Sequence, residues 1–496
     1  MYYLSSRKKK LAKKLFFMAL TAVSIVIGVT VLTALMLGYS FNFNGTEGHV
    51  ERIGILQVDS KPNGAEVYLN NQRHSTNTRA RIAPIEGDYN LRIQKENYRT
   101  WQKQVKVKGG EITWVAYPRL IPNKLSPQSV LDLPKTLADA LPSGSSRRYA
   151  LLENATNPTV NIAFIDRDTP EFKSVSMPDS SYDKAGLGNF KLYLWSGNER
   201  YVVLKHIRAN NPIEWLILDT EKPEESVNIN QAFGIDNINE VVFGDYGGSQ
   251  LYALIDGKVR NLDISNKTIS SPLIDNVNNF SLYGDGYILF VQDNSTSKTR
   301  KFGYIRKGFK EPRIIKTLPL EAGKKAFMDV DKYYDRFYFL VSNGNQAWLY
   351  GSKSLFYGLP SDNKNDRLDL SEISKFSMNQ EIISVNVTEN GQLATVQDGK
   401  SFSTYNLEST LQSSTQIKPN ASGEAQKLRY LDTYMLWGDN NGTLRTYEFD
   451  GENQNDLLPV IAKFDATISP SGKYLYCINK NSSGDYQFVR IQLLDI

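Results

Sequence analysis

Eight short apolar and aromatic runs recur along the later part of this 496-residue chain, and their spacing constrains the fold more than any other feature. They are Tyr149–Leu152, Tyr201–Leu204, Leu251–Ile255, Tyr287–Val291, Phe337–Val341, Leu393–Val396, Tyr434–Trp437 and Tyr474–Ile478. Their first residues lie 52, 50, 36, 50, 56, 41 and 40 positions apart. Clusters of Gly, Asn, Asp and Ser separate them, and no amphipathic helical pattern of any length intervenes. Short strands recurring at this period predict the blades of a β-propeller. A polar turn and a second strand follow each run, as in Glu214–Asp219 and Gln346–Tyr350, which suits an inner-to-outer order within a blade. The all-β domain is expected over residues 143–496, with eight blades, or seven if one run belongs to a closing blade. An early strand at Gln128–Leu131 would complete the last blade and tie the chain ends together.

One turn adds a family resemblance. Ser469-Pro470-Ser471-Gly472-Lys473-Tyr474, between Ile468 and Leu475, resembles the Ser-Pro-Asp-Gly-Lys-Tyr turn of TolB-like and WD40-like propellers, with Ser471 in place of Asp. Fainter echoes stand at Ser196-Gly197-Asn198-Glu199-Arg200-Tyr201 and Glu389-Asn390-Gly391-Gln392-Leu393.

The N-terminus decides where such a domain works. Arg7, Lys8, Lys9, Lys10, Lys13 and Lys14 precede Leu15–Gly38, a stretch without a charged residue. As a helix this stretch measures roughly 36 Å, enough to cross a hydrocarbon core of about 30 Å with some tilt. It exceeds the apolar core of about 7 to 15 residues in a cleaved signal peptide, and Ala34–Gly38 makes a poor small-x-small cleavage site. The expectation is therefore an uncleaved membrane anchor over 15–38, preceded by a cytoplasmic basic tail over 1–14. Basic residues stay inside, so everything after Tyr39 is expected outside a bacterial cell membrane.

A polar linker is expected over 39–51, then a compact β unit over 52–120. Its strands are predicted at Gly54–Ser60, Glu66–Leu69, Tyr89–Ile93, Val105–Val107 and Ile112–Val115, with Lys61-Pro62-Asn63-Gly64-Ala65 as a tight turn. The stretch Ser60–Asn70, together with Gly87–Ile93, Tyr98 and Val105–Val107, resembles the PEGA domain, a small β-sandwich of bacterial envelope proteins. The family's name-giving Glu is Asn63 here, its usual Gly-x-Thr-Pro is replaced by His74–Thr78, and its Gly before Tyr98 is Asn97. The resemblance implies an envelope location and an adaptor or spacer role, with no catalytic residues to carry over. A Pro- and Leu-rich connector is expected over 121–142.

Charge and chemistry narrow the function classes. The net charge of +5 resides in the basic tail, because without those six cations 52 Lys and Arg stand against 53 Asp and Glu. A folded part so near neutrality does not suit a nucleic-acid binder. Cys477 is the only cysteine, so no intramolecular disulfide forms, and a small buried hydrophobe in a strand is the expected role. His49, His74 and His206 are too scattered for a zinc site, and His206 is expected as a hydrogen-bonded structural residue. Ser295-Thr296-Ser297-Lys298 matches Ser-x-x-Lys only formally, since that motif needs a helix N-terminus. Two acidic stretches, Asp329-Val330-Asp331 with Asp335 and Asp450-Gly451-Glu452 with Asp456, are expected as solvated blade turns, lacking the pattern of a calcium loop. Asp439-Asn440-Asn441-Gly442 is expected as a hairpin turn.

No catalytic, cofactor or metal residue is singled out. The expected function is a non-catalytic binding or scaffold role, the propeller engaging a protein, peptide or glycan at the envelope. The alternative is a hydrolase or lyase acting on an envelope polymer in the propeller mouth. Acidic, Tyr or Arg side chains converging on the axis would favour that alternative, and an apolar or aromatic rim patch the binding role.

Overall fold

The computed structural model describes residues 3–42, 49–184, 188–208, 212–284, 286–306, 311–352, 370–418 and 426–494. They divide into two compact units, Met1–Lys124 and Leu125–Ile496.

The first unit begins with a helix over Tyr3–Met36, whose Lys9–Met36 portion is long and apolar enough to cross a membrane, with a mean hydropathy of 2.5. Within that portion Thr21, Ser24, Thr30 and Thr33 each donate to the carbonyl four residues back, at 2.8 to 2.9 Å. No hydroxyl proton there has to seek a partner in lipid. Two residues beyond the helix, Gly38 takes a φ of +82°, which only glycine adopts without strain. The expected linker is not an open chain, because Tyr39–Asn42 and His49–Arg52 pair antiparallel as a ribbon. Residues 43–48 lie outside the described residues.

The sandwich follows. Ile55–Val58 sits between Ala80–Ile82 and Ile112–Val115 in one sheet. Gln72–Arg73, Glu66–Leu69, Gly87–Gln94 and Trp101–Val107 make the other. Alternation sends Leu56, Val58, Val67, Leu91, Ile93 and Val107 inward, all of them 0 % exposed.

The second unit is a β-propeller. Among the described residues it holds eight four-stranded antiparallel sheets, seven of them built from four successive strands. The eighth combines Thr467–Ile468, Tyr474–Lys480 and Tyr486–Gln492 with Gln128–Leu133, which pairs with Tyr486–Gln492. The stretch expected as a connector over 121–142 therefore carries two sheet strands, Gln128–Leu133 and Asp139–Pro142, separated at Pro134, which cannot donate to a ladder.

Eight apolar clusters lie one between each neighbouring pair of sheets. The one that joins the last sheet to the first packs Tyr476, Ile478 and Phe488 against Tyr149, Leu151 and Ala163. Last meeting first makes the arrangement a closed ring. The eight apolar runs are the second strands of the eight sheets, and sheets on both sides cover them, which buries residues 337–343 without a break. Cys477 is fully buried in such a strand, where desolvation pushes its thiol up to about 12.

Candidate functional site

The first strands of the sheets line the axis, since the fourth strands are the exposed ones, as Leu411–Gln416 shows with four of its six residues exposed and none buried. On the axial face the first strands carry polar and charged side chains. Asp139, Tyr193, Glu240, Tyr283, Asp329, Asp331 and Asn386 all belong to such strands. This corrects the sequence expectation for Asp329-Val330-Asp331: the stretch lies in the strand Met328–Tyr333, not in a solvated turn. Asp335 does sit in the turn that follows.

These groups tie neighbouring sheets together. Asp139 accepts from its own neighbour Ala140 N at 2.9 Å and from Leu192 N, on the next sheet, at 3.0 Å. Asp329 repeats the arrangement with Val330 N at 3.0 Å and Val387 N at 2.7 Å. Tyr193 Oη donates to Glu240 at 3.3 Å and Tyr283 Oη to Asp331 at 3.4 Å, each again reaching the next sheet. Burial raises the carboxyls of Asp139, Glu240 and Asp331 above the usual range, against the hydrogen bonds that favour their charged forms. For Asp329 burial wins by the most and pushes the group up to about 6.

One part of the axis opens into a cavity of about 620 Å³ along the first strands of the sixth, seventh, eighth and first sheets. Its walls carry the hydroxyls of Ser146, Thr388, Thr433 and Thr467, the Asn386 amide, Lys427, and an ion pair between Arg429 Nε and Asp465 Oδ1 at 2.5 Å. Burial raises Asp465 and lowers Lys427, and the Arg429 guanidinium lowers Lys427 further. Arg429 also donates to Ala462 O at 3.1 Å and lies 5.2 Å over the Trp437 ring. A volume of this size is within the range of small-ligand sites, and hydroxyls among charges of both signs, with Glu389 and Asp432 also in the lining, suit a hydrogen-bonding polar ligand. None of Lys427, Arg429 and Asp465 was singled out in the sequence. They stand just before or within very short first strands, in segments with no motif.

Acidic, Tyr and Arg side chains thus converge on the axis, the pattern the enzyme alternative expects. Exposed aromatics such as Tyr246 and Tyr334 lie in separate turns. His206 is buried on the strand Tyr201–Arg208, its Nδ1 2.8 Å from Glu214 Oε2 and its ring stacked on Phe190 at 4.3 Å. A Cβ added at Gly188 would come within 2.5 Å of Nε2, so the strand backbone closes that side of the ring. Buried this way, His206 acts as a packing residue. His74 Nδ1 accepts from Thr76 N at 3.2 Å, and the side chain of His49 lies outside the described residues. Ser295–Lys298 and Asn441–Gly442 are turns. Asp456 is held by Arg445 through two bonds of 2.6 Å, and Asp450 Oδ1 accepts from Glu452 N at 3.2 Å. Among the described residues no three His, Cys, Asp or Glu side chains are grouped to hold a metal ion.

The PEGA domain family matches residues 53–119. No curated protein matches the chain in sequence. Among solved structures, the chain resembles the Dos1 propeller at 12 % identity and a TM-score of 0.46, covering 75 % of this chain and 96 % of that one. It also resembles Porphyromonas gingivalis dipeptidyl peptidase 4 at 10 % identity and a TM-score of 0.47, covering 74 % of this chain and 58 % of that one. An oligogalacturonate lyase in complex with manganese resembles it at 10 % identity and a TM-score of 0.37, covering 63 % of this chain and 95 % of that one.

Proposed function

We propose that this chain is a membrane-anchored binding or scaffold protein of the bacterial envelope, its N-terminus cytoplasmic and its two domains outside. In this reading the eight sheets are eight blades, and the axial cavity takes a polar segment of a protein or glycan partner. The observation that carries it is the employment of the axial acids: Asp139 and Asp329 each spend one carboxylate oxygen on the N–H of the next residue and the other on an N–H of the neighbouring sheet. The cavity lining adds hydroxyls, an amide, the cations Lys427 and Arg429 and the acids Glu389, Asp432 and Asp465, a surface for hydrogen bonding. The test is capture from envelope extract with the detergent-solubilised full chain, followed by titration of the retained partner against Thr433→Trp, which fills the cavity. Loss of binding supports the reading, and unchanged affinity removes the cavity from it.

A second reading, hydrolysis or elimination on an envelope polymer, draws on Asp329, whose carboxyl is pushed up to about 6 and could donate a proton near neutral pH. Turnover of an envelope polymer by the wild-type chain, abolished in both Asp329→Asn and Asp465→Asn, would establish it in place of the first.

A further inference from the structure

The junction between helix and sandwich is built from backbone packed against backbone. Ile53 N donates to Gly38 O at 2.7 Å, and Gly110 N donates to Ile53 O at 2.9 Å. A Cβ on Gly38 would lie 2.3 Å from Gly110 N, and one on Gly110 would lie 2.7 Å from Leu37 O. A Cβ on Gly54 would lie 2.4 Å from Lys108 O. No side chain fits between these segments, so the end of the helix and this end of the sandwich are held together.

Around that point stand the large apolar side chains that the sandwich leaves in the open. Among the described residues of the ribbon strand His49–Arg52 and the sandwich they are Val50, Ile85, Ile112 and Trp114, exposed by 59 %, 47 %, 46 % and 46 %. Ile85 bridges Ile53, the residue bonded to Gly38. Ile112 follows Gly110 by two residues and pairs with Ile55, and Trp114 lies two further along the same strand on the same face. Two residues of strand span about 7 Å. Val50 is on the ribbon strand that leads into this junction, where Arg52 lies 5.5 Å from the Tyr39 ring. Scattered apolar side chains are ordinary on a protein surface, but a domain that gathers all of its own at one end marks a contact.

We propose that this end of the sandwich is a membrane-contact surface. Ile85, Ile112, Trp114 and Val50 sit in the boundary between headgroups and acyl chains of the leaflet from which the helix emerges. The inference rests on the reading of the helix as a membrane anchor. The occupant follows from continuity, since Ile85 bridges the residue bonded to Gly38 at the helix end, and Ile112 follows closely on Gly110, which packs against that end. Trp favours that boundary because its ring is apolar and its N–H polar. Two ion pairs lie nearby, Arg52 with Glu86 at 3.2 Å and Lys108 with Glu111 at 3.6 Å, a form in which charges tolerate a headgroup layer.

The test uses the full chain in phosphatidylethanolamine–phosphatidylglycerol nanodiscs, in a Cys477→Ala background. Nitroxide labels are placed one at a time on Val26→Cys, Ile112→Cys, Trp114→Cys and Asn63→Cys, the last in the turn at the far end of the Ile55–Val58 strand. Relative accessibility to oxygen and to a water-soluble nickel chelate reports depth. The expected result is lipid values at 26, boundary values at 112 and 114, and aqueous values at 63. Aqueous values at 112 and 114 with lipid values at 26 would overturn the contact and leave the anchor standing. Aqueous values at 26 as well would overturn the anchor and the contact with it. Labels at 112 and 114 shielded from both reagents would show protein covering the surface, which also overturns the proposal.

Discussion

Asp329 concentrates the opposing forces on a single side chain. Two backbone N–H groups favour its charged form, yet burial pushes it from the ordinary 3.8 up to about 6. Between those values the folded chain holds a proton that the unfolded chain has released, so this site's contribution to stability grows as pH falls from about 7 toward 4.5 and fades as pH rises through 6. The growth over that window is about 2 kcal/mol. Denaturant unfolding of wild type and Asp329→Asn at both pH values should show the difference between them widening by that amount in favour of wild type at low pH. A constant difference would mean the carboxyl titrates alike in both states. Thr410 presents a simpler strain: a β-branched residue at φ +57° in the turn before Leu411–Gln416. Relief of the left-handed conformation outweighs the added chain freedom, and Thr410→Gly is expected to raise stability by about 1 kcal/mol. A lower thermal midpoint for that variant would contradict the assignment.

At the level of elements, one turn is repeated where the first strand meets the second. In Ser143–Arg148, Ser196–Tyr201, Thr388–Leu393 and Ser469–Tyr474, the first residue's hydroxyl accepts from the backbone N–H five residues on, at 3.0 to 3.1 Å. The same residue's N–H bonds that partner's carbonyl at 2.8 to 2.9 Å, and the fourth residue is left-handed: Ser146, Glu199, Gly391 and Gly472. Ser469→Ala and Ser196→Ala are each expected to cost about 1 to 2 kcal/mol, because an N–H at the base of the hairpin loses its acceptor. A loss within error in both would show that water replaces the hydroxyl. Three of these turns left a trace in the sequence because Gly or Asn-Gly stands near the bend. The copy at Ser143–Arg148 was not singled out, although Gly144 stands where Gly197 does; Ser146 and Glu199 both take the left-handed place that glycine holds at 391 and 472. The first strands were unreadable for a related reason. Their axial faces carry Asp329, Asp331 and Asn386 for tying sheets together, and such residues look like turn residues in a linear text. The second strands were legible because two covering sheets demand unbroken apolar runs.

For the whole molecule, the propeller was legible from period alone, whereas the cavity was not, because its walls come from residues 142–146, 386–389, 427–433 and 465–467. Only ring closure brings those four segments together. Closure itself depends on two things, the cluster around Phe488 and the strand Gln128–Leu133 laid along Tyr486–Gln492. Phe488 is fully buried, stacked on Tyr476 at 5.4 Å and tilted against Tyr149 at 4.9 Å, so aromatic packing alone already joins last sheet to first. The added strand supplies the missing ladder partner and buries Leu133 in the same cluster. Replacing residues 128–133 with a Gly-Ser segment therefore removes a large buried side chain and leaves a row of backbone groups unpaired at the seam. The expected outcome is faster amide hydrogen exchange across Tyr474–Gln492 and Arg148–Phe164, with the fourth and fifth sheets, whose strands run from Val277 to Pro319 and from Met328 to Ser377, slowest to follow. Stability should fall by at least about 3 kcal/mol, the usual cost of deleting a buried Leu, with the ladder added. Equal protection before and after the replacement would mean that the aromatic cluster closes the ring unaided, and the strand would then serve only to cover an edge.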